Sequence, residues 1–165
     1  MSIQLERHSL EHLMVLRGKN LSGLLQTLEG SVPSLFHYQK LDNKGFIANL
    51  GAEEFLINHA GFNRDQLEPQ QYAFQRGDVV ISISGKWREL LSEVCIYDFR
   101  QARPGEFLMV LIAGVSVWML IPEATEALII GCDPTYGDYL FETLEKQINT
   151  SPFLNYGVLN DFRRS

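Results

Sequence analysis

The sequence predicts an α+β protein that folds as a single compact body of two pseudo-repeated β-α-β-β-β-α units, spanning about residues 13–66 and 74–148. Three observations predict it. Short apolar or alternating runs of strand length are interleaved with helical stretches that carry one apolar face. The two stretches present these elements in the same order. No low-complexity segment or Ser/Gly-rich linker divides the 165 residues, a length that fits one domain.

In the first unit, LMVLR (13–17) reads as a strand and Gly18 follows it. In NLSGLLQTLEG, Leu21, Leu24, Leu25 and Leu28 share one helical face, and Gly30 closes the helix as a C′ residue. FHYQKL (36–41) and GFIANL (45–50) form a hairpin, with Asn43-Lys44-Gly45 as its turn. EFLINH (54–59) is the next strand, and the polar run NRDQLEP ends the unit. Asn63 to Gln71 is the most linker-like stretch and falls where the units join.

The second unit opens on the strand DVVISIS (78–84), followed by Gly85. In GKWRELLSEV, Trp87, Leu90, Leu91 and Val94 face one way, while Lys86, Arg88, Glu89 and Glu93 face the other. FLMVLI (107–112) and VSVWMLI (115–121) form a hairpin around Ala113-Gly114, and ALIIGC (127–132) is a buried strand. TYGDYLFETLEKQI carries the i, i+4, i+8 stripe Leu140, Leu144, Ile148, widened by Phe141. Thr135 or Asp138 is the expected cap. The tail, 149–165, lacks a period yet holds Phe153, Leu154, Tyr156, Val158, Leu159 and Phe162. It reads as a strap over the core or a segment that docks on a partner.

Composition narrows the function classes. Asp plus Glu is 20 against 14 Lys plus Arg, a net charge of −6. Such a surface repels phosphates and anionic lipid, which disfavours nucleic-acid and membrane partners. The longest uncharged apolar stretch, Leu108 to Ile121, is too short to span a bilayer and breaks at Ala113-Gly114. The N-terminus has no apolar h-region, so it is no signal peptide. Cys95 and Cys132 lie far apart with no CxxC, and read as reduced, buried thiols. A soluble, cytoplasmic protein is expected.

The chemistry-bearing patterns fall short of a site. Ser84-Gly85 lacks the upstream glycine of a nucleophile elbow. His8, Glu11 and His12 read as a solvated N-terminal turn, since two histidines at helical spacing lack a third metal ligand. Glu53 and Glu54 are adjacent on a strand and so face opposite sides. Trp87 and Trp118 read as core packing, and Arg76 and Asp78 flank Gly77 as a surface turn pair before a buried strand. Neither a catalytic nor a metal residue is expected.

Four segments carry a family resemblance. They are Arg17-Gly18 at a strand–helix opening; Gly51-Ala52-Glu53-Glu54-Phe55-Leu56-Ile57; Ser84-Gly85 through Leu90-Leu91, Cys95 and Asp98-Phe99; and Tyr139-Leu140-Phe141 with Leu144. Their order, over roughly residues 13–148, resembles the aminomethyltransferase (glycine-cleavage T-protein) and sarcosine oxidase superfamily. In size and order it is most similar to the small gamma subunit of heterotetrameric sarcosine oxidases. The resemblance implies a folate-binding-domain-like fold, a duplicated β-α-β unit with swapped first strands.

Larger members of that superfamily bind tetrahydrofolate, using an acidic pair after the first strand of the second-half hairpin and an additional C-terminal domain. Here that position reads Leu111-Ile112-Ala113-Gly114-Val115, which offers no carboxylate. The resemblance therefore implies a non-catalytic, gamma-like subunit or accessory protein of a flavin-dependent N-methyl amino acid oxidase in one-carbon metabolism. Flavin and NAD would sit in partner chains and no cofactor in this one. Its partners would be flavoprotein oxidase subunits or a second copy of itself. The alternative is a free-standing binder of folate or a similar heterocycle. Arg76, Asp78, Asp133, Tyr136, Phe153, Tyr156 and Phe162 are the candidate partner-docking residues. Asp133-Pro134 departs from the Arg-Ser pair usual in gamma-like relatives, placing an anion where they carry a cation.

Overall fold

The computed structural model of the chain describes residues 2–152 and residue 154. In chain order the elements are β1 (Gln4–His8), β2 (Leu13–Gly18), α1 (Leu21–Glu29), β3 (Tyr38–Lys40), β4 (Phe46–Gly51), β5 (Glu54–Asn58), β6 (Gln71–Gln75), β7 (Val79–Ser84), α2 (Trp87–Ser92), β8 (Phe107–Ile112), β9 (Val115–Leu120), β10 (Leu128–Cys132) and α3 (Gly137–Thr150). They build two five-stranded sheets, β1-β7-β10-β9-β8 and β3-β4-β5-β2-β6, paired antiparallel throughout. The architecture is mixed α+β.

Alternation along the strands sorts the apolar side chains into three clusters. Leu13, Val15, Phe46, Ala48, Leu56, Val80, Phe107, Trp118 and Leu120 meet between the two sheets. The opposite face of the first-named sheet (Ile81, Ile83, Val117, Met119, Ile130) packs on α2 and α3 through Leu90, Leu91, Leu140 and Leu144. The opposite face of the second sheet (Leu16, Ile47, Phe55, Ile57) packs on Leu21 and Leu25 of α1. The order is helix, sheet, sheet, helices. Inner strands such as β5 and β10 are covered on both faces and read as near-continuous apolar runs, whereas the border strands β1, β6 and β8 are only partly covered.

Two strands differ from the sequence reading. β1 takes in His8 and the four residues before it, leaving Glu11 and His12 of the expected N-terminal turn as a turn, and β6 begins where the linker-like stretch ends. Each borders the sheet formed mainly by the other part of the chain: β1 pairs with β7, and β6 pairs with β2. Gly18 and Gly85 lie where these crossings happen. Both have positive φ, and a Cβ at Gly18 would collide with the Gln70 carbonyl, one at Gly85 with the Ser2 carbonyl.

Other departures are local. The polar run closing the first stretch holds only a 3₁₀ turn, Arg64–Gln66, with Asn63 and Gln66 forming a capping box, and no counterpart of α3. The strand expected over 36–41 is confined to Tyr38–Lys40, because Phe36 and His37 turn away to bridge the other sheet at Glu106 and Phe107. Neither Thr135 nor Asp138 caps α3. Asp133 instead caps the preceding 3₁₀ turn through the Thr135 N–H, and Asp138 pairs with Arg7. Cys132 is buried, whereas Cys95 is only half-buried, and both are free thiols.

The turn expectations hold. Asn43 and Lys44 both have positive φ and the Gly45 N–H donates to the Asp42 carbonyl, which makes them the central residues of a tight turn; the Leu41 N–H, donating to the Gly45 carbonyl, closes it as a three-residue loop, 42–44. Ala113 and Gly114 are likewise the central residues of the turn between β8 and β9. Among the described residues, no helix is long and apolar enough to cross a membrane.

Candidate functional site

The sheets do not cover each other completely. Beyond the Phe46, Val80 and Leu120 end of the middle layer they part, leaving a cleft of about 460 Å³. One wall is His8, Val80, Leu120 and Ile129; the other is Leu10, Tyr38, Lys40 and Phe46. The Asn43-Lys44-Gly45 hairpin brings Lys44 to it, and the segment before β10 brings Glu126.

Most polar groups in the cleft are already committed. The Tyr38 hydroxyl donates to the Ile121 carbonyl at 2.8 Å. Burial, reinforced by Glu126 and Glu123, pushes its pKa up to about 12, so it stays protonated and cannot act as a base near neutrality. Lys40 pairs with Glu126, which holds that carboxyl below its ordinary range. The His8 ring meets the Ser82 hydroxyl at 2.8 Å. The arrangement suits binding an apolar molecule; it does not set an acid and a base against each other.

On the other side of the same hairpin lies a polar notch lined by His12, Glu29, Asp42, Asn58 and His59. The Gly61 N–H donates to His59 Nδ1 at 3.0 Å, so Nδ1 is the acceptor and Nε2 carries the proton toward Glu29. Both ring nitrogens are thereby engaged. Asn58 is buried, donates to the Lys44 carbonyl at 3.0 Å, and leaves its Oδ1 without a hydrogen bond. Among the described residues, no three His, Cys, Asp or Glu side chains gather as a metal-ligand set.

The proposed docking residues divide. Arg76 and Asp78 do pair, through Nε at 2.9 Å and Nη2 at 3.0 Å, but not as a surface turn. The Asp78 side chain is 2% exposed and also accepts the Trp118 indole N–H at 2.8 Å. Burial by a tryptophan 40 positions away overrides the polar look of the turn. Asp133 lies alongside: hydrogen bonds from Thr135, helped by Arg76, hold its carboxyl below the usual range. Tyr136, on the same 3₁₀ turn as Thr135, is exposed. Arg76, Asp78 and Asp133 thus meet at one end of β7 and β10, with Tyr136 on the adjoining turn. Phe153, Tyr156 and Phe162 lie outside the described residues.

Glu53 and Glu54 do serve different partners, but not as two strand residues: Glu53 lies in the turn before β5 at φ 55, and Glu54 opens the strand. Glu53 accepts the Leu21 N–H at 2.7 Å and so caps α1 from a distance, while Glu54 pairs with Arg17. Trp87 and Trp118 are both buried packing residues. Of the exposed large apolar side chains, Tyr72 and Phe74 lie on border strand β6 and Met109 and Leu111 on border strand β8. By register Phe74 lies opposite Val15, and Met109 opposite Trp118, so both continue the middle-layer faces past their overlap. The sequence reading did not single out Tyr38, Lys40, Lys44 or Glu126; Lys44 in the second central position of a tight turn, where glycine is usual, was the available signal.

No family model matches the sequence, and no curated protein matches it. Among solved structures, the chain is similar to one in a heterotetrameric sarcosine oxidase from Corynebacterium sp. U-96 in complex with pyrrole 2-carboxylate. The TM-score is 0.73 at 15% identity, over 89% of this chain and 84% of that one. The fold is therefore one found in a sarcosine oxidase chain.

Proposed function

We propose that the chain is a non-catalytic subunit or accessory protein of a flavin-dependent oxidase of the sarcosine type, with flavin and NAD held by partner chains. The observation that carries this reading is the fold shared with a chain of a heterotetrameric oxidase over most of both lengths. The apolar, exposed border strands support it, since Tyr72, Phe74, Met109 and Leu111 offer a surface for burial against a larger body. So does the commitment of the cleft's hydroxyl, ammonium and carboxylate to internal partners. In this reading the two sheets descend from a duplicated unit with exchanged first strands, and the protein works in the cytoplasm.

Capture of the tagged full-length chain from its native source tests the proposal. A co-purifying flavoprotein with the absorbance of bound flavin is expected. Recovery of the chain alone, or with partners that carry no flavin, defeats the reading.

The apolar cleft favours a second reading, a free-standing binder of folate or a similar heterocycle. A ligand at 100 times its Kd adds about 2.7 kcal/mol of stability. Tetrahydrofolate that leaves the melting temperature unmoved at saturating concentration removes this reading.

A further inference from the structure

We propose that the cleft between the sheets is a binding site for a compact apolar monocarboxylate, its hydrocarbon or ring against Leu10, Phe46, Leu120 and Ile129 and its carboxylate on Lys44. The size and apolar lining suit a small ligand. The charge argument comes from elimination. Lys40 and Glu126 neutralise each other, and His8 and Tyr38 are hydrogen-bonded to protein groups. Lys44 pairs with no carboxylate among the described residues. The cleft therefore carries one uncompensated positive charge in a chain of net charge −6. That field admits a single negative charge against an apolar body and disfavours a dianion.

The backbone points the same way. Lys44 sits at φ 61, where a side chain is disfavoured relative to glycine. Three contacts fix its position. Its carbonyl accepts from buried Asn58, the Gly45 N–H donates to the Asp42 carbonyl, and the Leu41 N–H donates to the Gly45 carbonyl. The backbone is held at this position by its surroundings, and among the described lining residues Lys44 is the cation without an ion-pair partner, exposed where the cleft meets solvent. Asp42 and Glu29 belong to the notch on the far side of the hairpin, not to this cleft.

The inference stands apart from the oxidase reading, because the ligand would occupy this chain alone. It narrows the second reading from a heterocycle to a small acid. The test titrates the full chain with 3-phenylpropanoate, 3-phenylpropanamide and phenethylammonium by calorimetry and by amide chemical shifts. Saturable one-to-one binding of the acid is expected, with shifts at Gly45, Phe46 and Ile129. The amide should bind at least about threefold weaker, and the ammonium more weakly still. Lys44→Gly relieves the backbone strain, so it should melt no lower than the parent while losing the preference for the acid over the amide. Equal binding of acid and amide, an undiminished preference in Lys44→Gly, or no saturation by the acid overturns the proposal. Tetrahydrofolate binding without phenylpropanoate binding overturns it too, and leaves the second reading standing.

Discussion

The indole N–H of Trp118 donates to the Asp78 carboxylate at 2.8 Å in the layer where the sheets meet, and Arg76 closes the other side of the same carboxylate. Trp118 lies directly across from Gly131 on the neighbouring strand, where a Cβ would overlap the indole. The ring is thus fixed by β9 and β10, and its acceptor by the connection between β6 and β7.

Asp78→Ala should destabilise the protein by about 2–4 kcal/mol, because it strands a buried indole N–H and removes the partner of a half-exposed arginine. Trp118→Phe should cost about 1–2 kcal/mol. The double variant should cost less than the sum of the two, since each removes the same bond. Urea unfolding followed by far-UV circular dichroism measures all three, and strict additivity would contradict the coupling.

Gly18→Ala and Gly85→Ala should each cost at least about 2 kcal/mol, because positive φ and a backbone carbonyl both oppose the new methyl. Gly30→Ala, with positive φ but nothing within 4 Å, should cost only about 1 kcal/mol. Thermal melts of the three variants, compared at equal concentration, check the ranking.

Tyr38 supplies an alkaline signature. With its pKa raised in the folded state to about 12 from an ordinary value of 10.0, the folded protein holds the phenolic proton more tightly than the unfolded chain does. Its contribution is therefore fully present below pH 10 and is lost as pH climbs through 12. Allowing for solvent screening, the loss is on the order of 1–2 kcal/mol. Tyr38→Phe should flatten that decline and remove a late-titrating component from the phenolate absorbance. Parent and variant falling in parallel between pH 10 and 12 would refute it.

Glu53 and Glu54 should separate by mutation. Glu53→Ala uncaps α1 and should cost about 1 kcal/mol. Glu54→Ala breaks only the exposed pair with Arg17 and should cost less than about 0.5 kcal/mol. Equal costs, measured by chemical denaturation, would show that the Glu53 carboxylate does not serve the helix.

The helices were legible because Leu21, Leu24, Leu25 and Leu28, or Leu140, Leu144 and Ile148, must share a face to be buried. The hairpins at Asn43-Lys44 and Ala113-Gly114 were legible from turn chemistry. β1 was not: Gln4–His8 has one apolar residue, and a border strand needs a partner on one side only. β6 does alternate, with Tyr72 and Phe74 on one face, but it is short and only its first residue, Gln71, touches the linker-like stretch, so the pattern did not stand out. Asp78 looked like surface because its turn is polar, and no local pattern announces a tryptophan from β9. The cleft was invisible for a similar reason: its lining comes from separate segments joined only by the sheets' divergence.

The exchange of β1 and β6 ties the chain into a clasp. A protease nick in the stretch between β5 and β6 would leave two fragments, each missing one rim of its own sheet and holding the rim the other needs. Such fragments should stay hooked after cleavage and reassemble when made separately and mixed. Either one made alone would carry an unclaimed strand and an unfilled place for one.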